Sequence, residues 1–206
     1  TIKSYFKSYQ ARKLQIGAGT YFLKGWLNTD IDPSSRKVVF IDATKPFPFE
    51  DGIFDYVFSE HQIEHLTYNE GLFMLRECYR ILKPSGRIRI ATPDLETLGG
   101  LYTPQKSDIQ QQYIHWINNK IFPEKGVYEV SFVINNAFRN WGHKFIYDHD
   151  TLHGAMKEAG FVDVTRCVPG DCCDENLRGI ESHGRDSGHK DMIKFETMVL
   201  EAKHPI

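Results

Sequence analysis

Short apolar runs alternate along the chain with stretches of helical periodicity, the pattern of a parallel α/β sheet. The first run, residues 13–16, ends on Gly17-Ala18-Gly19. Runs at 26–30 and 38–41 follow, each closing on an acidic residue, Asp30 or Asp42. Residues 54–58 and 87–92 read as two further strands. The second alternates Arg and Ile, so one of its faces is expected to be wetter. Between them, 67–83 has the strongest helical pattern: Thr67 and Glu70 have capping-box spacing, and Leu72, Leu75, Tyr79 and Leu82 share a face. Pro84-Ser85-Gly86 is expected to stop that helix and turn the chain. A second helix runs from a cap at Asp148 to Gly160, and 162–168 and 195–200 read as the last two strands.

Two stretches fit this alternation least. Residues 101–147 have helical character near 107–120 but too many aromatic, Asn and Gly residues for one continuous helix, and 169–193 is rich in Gly, Asp and His. Both follow sheet strands, and ligands of open parallel sheets collect at the carboxyl ends of strands. Long irregular segments in a compact domain are usually functional.

Composition narrows the picture in three ways. The 206 residues suit one domain with a substrate-binding or lid insertion at about 101–147. A net charge of −2 excludes a nucleic-acid binder that relies on a basic surface. No apolar run is long enough to span a membrane, and the first six residues lack the features of a secretory signal, although the chain opens on Thr1 rather than Met. Four cysteines without CxxC spacing read as reduced thiols, so a cytoplasmic location is expected. Aromatic residues make up 13% of the chain, and ten of them fall within 102–147.

The glycine turn carries the first chemical signal. A Gly-containing turn directly after a strand lets backbone approach a ligand and offers it N–H groups. Asp30, at the end of the next run, suits a ribose diol, and Asp42, at the end of the third, suits an adenine edge. Strand-end or capping roles are the alternative for both. A dinucleotide fingerprint fits less well, because Phe22 stands where a third glycine belongs and Asp30 follows Gly17 too closely.

Four segments in order, LQIGAG (14–19), GWLNTDIDP (25–33), DATKPFPFEDGIFDYVFSEHQIEHL (42–66) and RILKPSGRIRIATPD (80–94), resemble the class I S-adenosylmethionine-dependent methyltransferases. The likeness is strongest to small members associated with sugar and polysaccharide modification. It implies a Rossmann-like seven-stranded sheet of order 3-2-1-4-5-7-6, with strand 7 antiparallel and helices on both faces. It also implies S-adenosylmethionine as cofactor. Gly17, Ala18 and Gly19 would lie beside its methionine, Asp30 and Ile31 at the ribose, and Asp42 and Ala43 at the adenine. Ser59, Glu60 and His61 would lie near the reacting end. One departure stands out: the link from Gly19 to Trp26 is too short for the family's helix, so cover for the cofactor must come from elsewhere. The aromatic residues of 102–147 are the expected source, or a stack for a sugar ring.

His61-Gln62-Ile63-Glu64-His65 also spells HxxEH, a pattern of zinc peptidases. The cap at Thr67 leaves that pair too short a helix, so no metal is expected, and Glu64 and His65 read as local structure holding the loop. His61, then His143, then His183 are the candidate bases for a hydroxyl acceptor. Arg139, Lys144, Arg178 and Arg185 could meet an anionic acceptor, with solvated surface charge as the plain alternative. The expected function is methyl transfer to a small-molecule or glycan substrate, at oxygen, by a monomer or homodimer. A non-catalytic adenosyl-ligand domain and a nucleotide-dependent oxidoreductase are the alternatives.

Overall fold

The computed structural model describes residues 2–124, 126, 128–183 and 188–206; Arg185 lies outside the described residues. In chain order the elements are α1 (Ile2–Ser8), β1 (Lys13–Ile16), β2 (Leu27–Asp30), β3 (Val39–Phe40), β4 (Phe54–Glu60), α2 (Tyr68–Ile81) and β5 (Leu82–Pro93). Then come α3 (Leu95–Gly99), α4 (Asp108–Ile121), α5 (Val130–Arg139), α6 (His149–Glu158), β6 (Val162–Cys167), α7 (Lys190–Glu196) and β7 (Thr197–Lys203). The strands form one seven-stranded sheet in the order β3-β2-β1-β4-β5-β7-β6, with β7 antiparallel to both its neighbours. This is the expected strand order.

Register explains which residues face which way. One row across the sheet reads Leu27, Leu14, Val57, Ile88 and Ala202. It faces the main core with Leu72 and Leu75 of α2 and Leu152 and Met156 of α6. The next row, on the opposite face, reads Asn28, Gln15, Phe58, Arg89 and Glu201. Four of those five are polar, yet all are buried. Two irregular segments cover them. Gln15 and Asn28 lace down the 19–26 link: Gln15 donates to the Tyr21 carbonyl (3.0 Å), and Asn28 accepts from the Leu23 amide (2.9 Å) and donates to the Trp26 carbonyl (3.1 Å). Segment 169–183 lies over the rest, with Cys172, Leu177 and Ile180 packed on Trp26 and Phe58.

The wetter face expected of 87–92 is therefore dry. Arg89 is fully buried and pairs with Glu181 and Glu201, while Arg87 reaches Glu201 at 2.7 Å and Asp174 at 3.3 Å. Buried charges need partners of this kind. Other expectations shift locally. Thr67 caps α2 with the capping box complete, but Pro84-Ser85-Gly86 lies inside β5, with Ser85 at φ +63° and a register shift opposite Phe54 and Tyr56. Only Val39–Phe40 pairs within the third run, and Phe195 belongs to α7, so the last strand starts at Thr197.

Residues 101–147 hold two helices rather than none or one. Ser107 and Gln110 form a second capping box at the start of α4. Tyr113, Ile114 and Ile117 of α4 pack with Val130, Val133 and Ala137 of α5 in a second core. Of the ten aromatics, Phe145 and Tyr147 join the main core, whereas Tyr102 and Phe138 are exposed. The sheet face beside the short 19–26 link is covered by 169–183.

Candidate functional site

The glycine turn sits at the carboxyl ends of β1 and β2. Gly17 (φ +70°) and Gly19 (φ +52°) both adopt left-handed backbone, which side chains disfavour. Their conformation aims amides at the next strand: Ala18 N–H donates to the Thr29 carbonyl (2.9 Å), and Gly19 N–H donates to Asp30 Oδ2 (2.8 Å). Asp30 Oδ1 accepts from the Asp32 amide at 2.9 Å. Above Gly17 lies Gln62. A Cβ on Gly17 would stand 2.4 Å from Gln62 Cγ, so the glycine is needed for that approach. The Asp42 carboxylate accepts from the Thr44 hydroxyl (2.7 Å) and amide (2.9 Å), bonds that hold its pKa below the usual range. Ala43 is buried, while Ile31 and Phe40 leave apolar surface exposed at the ends of β2 and β3.

The carboxyl ends of β4 and β5 open into a cavity of about 340 Å³ beneath α4 and α5. His61, His143 and His183 all line it, so the three candidate bases converge. His61, at φ +47°, stacks on His183 with ring centroids 4.0 Å apart. The Thr197 hydroxyl donates to the Ile193 carbonyl (2.7 Å), so its oxygen accepts from His61 Nε2 at 3.2 Å, which places a proton on that nitrogen. Burial disfavours the charged form of His61, but Glu64 beside it, with Glu196 and Glu60, raises its pKa. Burial and the neighbouring His61 push His183 down to about 4, so it is neutral at pH 7. Burial also lowers His143.

Glu60 faces away from the glycine turn in its contacts. Its carboxylate accepts from the amides of Ser182 (2.9 Å) and His183 (3.0 Å), which fixes His183 against His61. Burial raises its pKa, and those amides offset part of the rise. Ser59 is buried, and its hydroxyl has no hydrogen-bond partner among the described residues. A second cavity of about 360 Å³ lies on the other side of His183, bordered by Gly170, Glu181, Lys190 and Lys194.

Several cavity residues carried no signal in sequence. Tyr113 donates a hydrogen bond to Glu196, both deeply buried, and both pKa values are raised by burial first. Lys120 Nζ lies over the rings of Trp116 (5.3 Å) and Trp141 (5.4 Å). Glu64, read as a loop fastener, does fasten: its Oε2 accepts from Thr92 Oγ1 (3.0 Å), and its carbonyl accepts from the amides of Lys144 (2.8 Å) and Phe145 (3.2 Å). Arg139, Lys144 and Arg178 do not line this cavity; Lys144 sits 3.4 Å from Glu70, and Arg178 donates to the Cys172 carbonyl. Among the described residues, all four cysteines are free and no helix is long and apolar enough to cross a membrane.

Comparison with known proteins places this geometry. Residues 14–90 match the model of a methyltransferase domain family. No curated protein matches the chain in sequence. Among solved structures, a SAM-dependent methyltransferase from Archaeoglobus fulgidus superposes with a TM-score of 0.53 at 23% identity, covering 98% of this chain and 89% of that one. A SAM-dependent methyltransferase from Thermotoga maritima gives 0.51 at 18% identity, covering 95% and 83%. A chain of the Haloferax volcanii complex between the Trm112 methyltransferase activator and a methyltransferase gives 0.53 at 16% identity, covering 100% and 89%. At these identities the structural likeness speaks for the fold, and the family match for residues 14–90. Residues 14–90 thus match a methyltransferase domain family, and the chain as a whole has the strand order and fold of class I S-adenosylmethionine-dependent methyltransferases.

Proposed function

We propose that the chain is an S-adenosylmethionine-dependent methyltransferase that methylates oxygen on a small-molecule or glycan acceptor, working in the cytoplasm. The acceptor occupies the histidine-lined cavity, with residues 101–147 as the insertion above it. One observation carries this reading: the glycine turn tied to Asp30 and the cavity are joined through a single residue, Gln62, which lies on Gly17 and follows His61. Gly17, Ala18 and Gly19 meet the methionine, Asp30 with Ile31 meets the ribose, and Asp42 with Ala43 meets the adenine beside exposed Phe40. Gln62 moves off Gly17 as the cofactor enters. Ser59 and His61 border the reacting end, and Glu60 acts behind them by holding His183.

The cofactor, when bound, supplies an electrophilic sulfonium methyl group. The chain's own work is to align the acceptor oxygen in line with it and to take the oxygen's proton. His61 is the first candidate because it is the cavity histidine nearest the glycine turn in the chain. Its Nε2 is held by Thr197, which leaves Nδ1, on the side of Glu64, to receive the proton. His143 and His183 are the next candidates.

Calorimetry tests the cofactor: S-adenosylmethionine and S-adenosylhomocysteine are expected to bind with Kd below about 1 mM, and NAD is not. Binding of NAD alone would overturn the reading. Asp30→Ala is expected to weaken binding by about tenfold or more, because charged hydrogen bonds to the ribose are lost. A radiolabelled methyl-transfer screen over sugars, nucleotide sugars, oligosaccharides, amines and phenols then identifies the acceptor. His61→Ala is expected to slow transfer by roughly 10²–10⁴-fold while S-adenosylhomocysteine still binds. Binding without transfer to any acceptor would instead mark a silent adenosyl-binding domain.

A further inference from the structure

We propose that Glu64, His65 and His143 form a zinc-binding site in the wall of the cavity. HxxEH spacing alone points to a different pair, His61 and His65 on one helix. In the structure that helix does not exist: Ile63–His65 is a single 3-10 turn, and His61 turns away to Thr197. What converges instead is one carboxylate oxygen of Glu64 and one ring nitrogen each from His65 and His143, all within 4.8 Å of one another. Tetrahedral zinc with bonds near 2.0–2.1 Å wants its ligand atoms roughly 3.3 Å apart, so the side chains close by about an ångström or so on binding.

Three independent features prepare these groups. Glu64 is fully buried; its Oε2 is held by Thr92, and its Oε1 has one neighbour of opposite charge, His61 Nδ1 at 3.3 Å. A buried carboxylate is costly unless positive charge meets it, and a metal ion at this oxygen would share that task with His61. His143 has its Nδ1 at 2.7 Å from the Ala137 carbonyl, so Nδ1 carries the proton and donates, and Nε2 presents a lone pair. That is how a zinc-ligating histidine is normally oriented from behind. Finally, the two segments are stitched together. The Glu64 carbonyl accepts from the amides of Lys144 and Phe145, and a left-handed turn at Trp141 (φ +59°) and Gly142 (φ +78°) delivers His143. A Cβ at Gly142 would lie 3.7 Å from His65 Nδ1, so the ring of His65 packs closely on that turn.

Two histidines and one glutamate leave the fourth position of zinc open, the donor set of catalytic rather than closed structural sites. All three residues line the cavity, so an oxygen or nitrogen donor entering it can complete the coordination. If the cavity takes the acceptor as proposed above, that donor is the acceptor's own oxygen; zinc binding itself does not depend on that reading.

The test uses untagged protein stripped with chelator and titrated with zinc chloride by calorimetry, with metal content checked by elemental analysis. One equivalent per chain is expected. His65→Ala and His143→Ala should each weaken binding by at least the roughly 10–100-fold that even an outer-shell partner contributes. Glu64→Gln should do the same; if it fails to fold, the half-buried His143 still decides the matter, with circular dichroism as the check on folding. Cobalt substituted for zinc should give visible absorption bands that His143→Ala abolishes or shifts. Less than about 0.2 equivalents in the wild type, or one equivalent unchanged in both histidine variants, overturns the site. S-adenosylhomocysteine binding measured on the same stripped sample reports separately on the methyltransferase reading.

Discussion

Segment 169–183 and the α4–α5 pair are both additions to the sheet, and they are held by opposite means. The α4–α5 pair brings its own apolar core, built from Tyr113, Ile117, Val130 and Val133. Segment 169–183 has no helix or strand and contributes few apolar side chains. It is pinned by charge instead: Glu181 on Arg89, Asp174 on Arg87 and Tyr56, and the Ser182 and His183 amides on Glu60. An apolar core tolerates sliding and local opening, whereas a buried ion network has one geometry in which every charge is met. The two covers meet at the histidine cavity, where His183 comes from one and His143 follows the other. The fixed wall and the adjustable wall of the cavity are therefore different segments.

That contrast can be broken most severely at Arg89. Arg89→Ala takes away the guanidinium that Glu181 and the buried Glu201 share, and is expected to cost about 3–5 kcal/mol of global stability in denaturant unfolding. Arg87 still partners Glu201, which favours the lower end. Ile117→Ala removes the same order of energy, about 2–4 kcal/mol, but from the second core. Hydrogen exchange should then show α4 and α5 opening while β1, β4 and β5 stay protected; uniform loss of protection would mean that the second core is not separable.

Acid should loosen the ionic cover first. Burial opposes ionisation of Asp174, but the Asn176 amide, the Tyr56 hydroxyl and the Arg87 charge hold its pKa below the usual 3.8. Its stabilising effect is therefore complete above that ordinary value and is lost as pH falls through the lowered folded value. Trp26, packed under the segment, should shift its fluorescence to the red below about pH 4, and Asp174→Asn should show the shifted emission already at neutral pH. The smallest effect is expected at Ser107, which caps α4. Ser107→Ala should cost about 1 kcal/mol, about 3 °C in Tm, and only in the apolar cover.

What could be read in sequence was local or tied to one turn. Residues 13–16, the glycine turn, the Thr67 cap and the Asp148 cap depend on neighbours a few positions away, and all appear as expected. Ser107 and Gln110 have the same readable spacing, hidden by the aromatic content around them. The polar residues within strands, Gln15, Asn28 and Arg89, were the available sign that something other than a helix covers that face. Their partners lie up to 112 residues away, a distance that periodicity does not span. His65, Lys120 and Glu196 joined the cavity for the same reason: each is placed by packing between distant segments. His61, His143 and His183 were reached from their places after strands, and the structure brings them to one cavity.

The lacing of the 19–26 link by Gln15 and Asn28 has an electrostatic consequence. In dinucleotide-binding folds a helix begins directly behind the glycine turn, and the partial positive charge at its first turn draws a pyrophosphate. Here two side-chain amides hold the chain where that helix would start, and among the described residues no helix lies between β1 and β2. The turn thus presents its backbone to a ligand without an aligned dipole behind it, and the carboxylate of Asp30 is bonded directly to it. Such a turn favours a ligand that is neutral or cationic where it crosses the glycines over one that carries phosphate there.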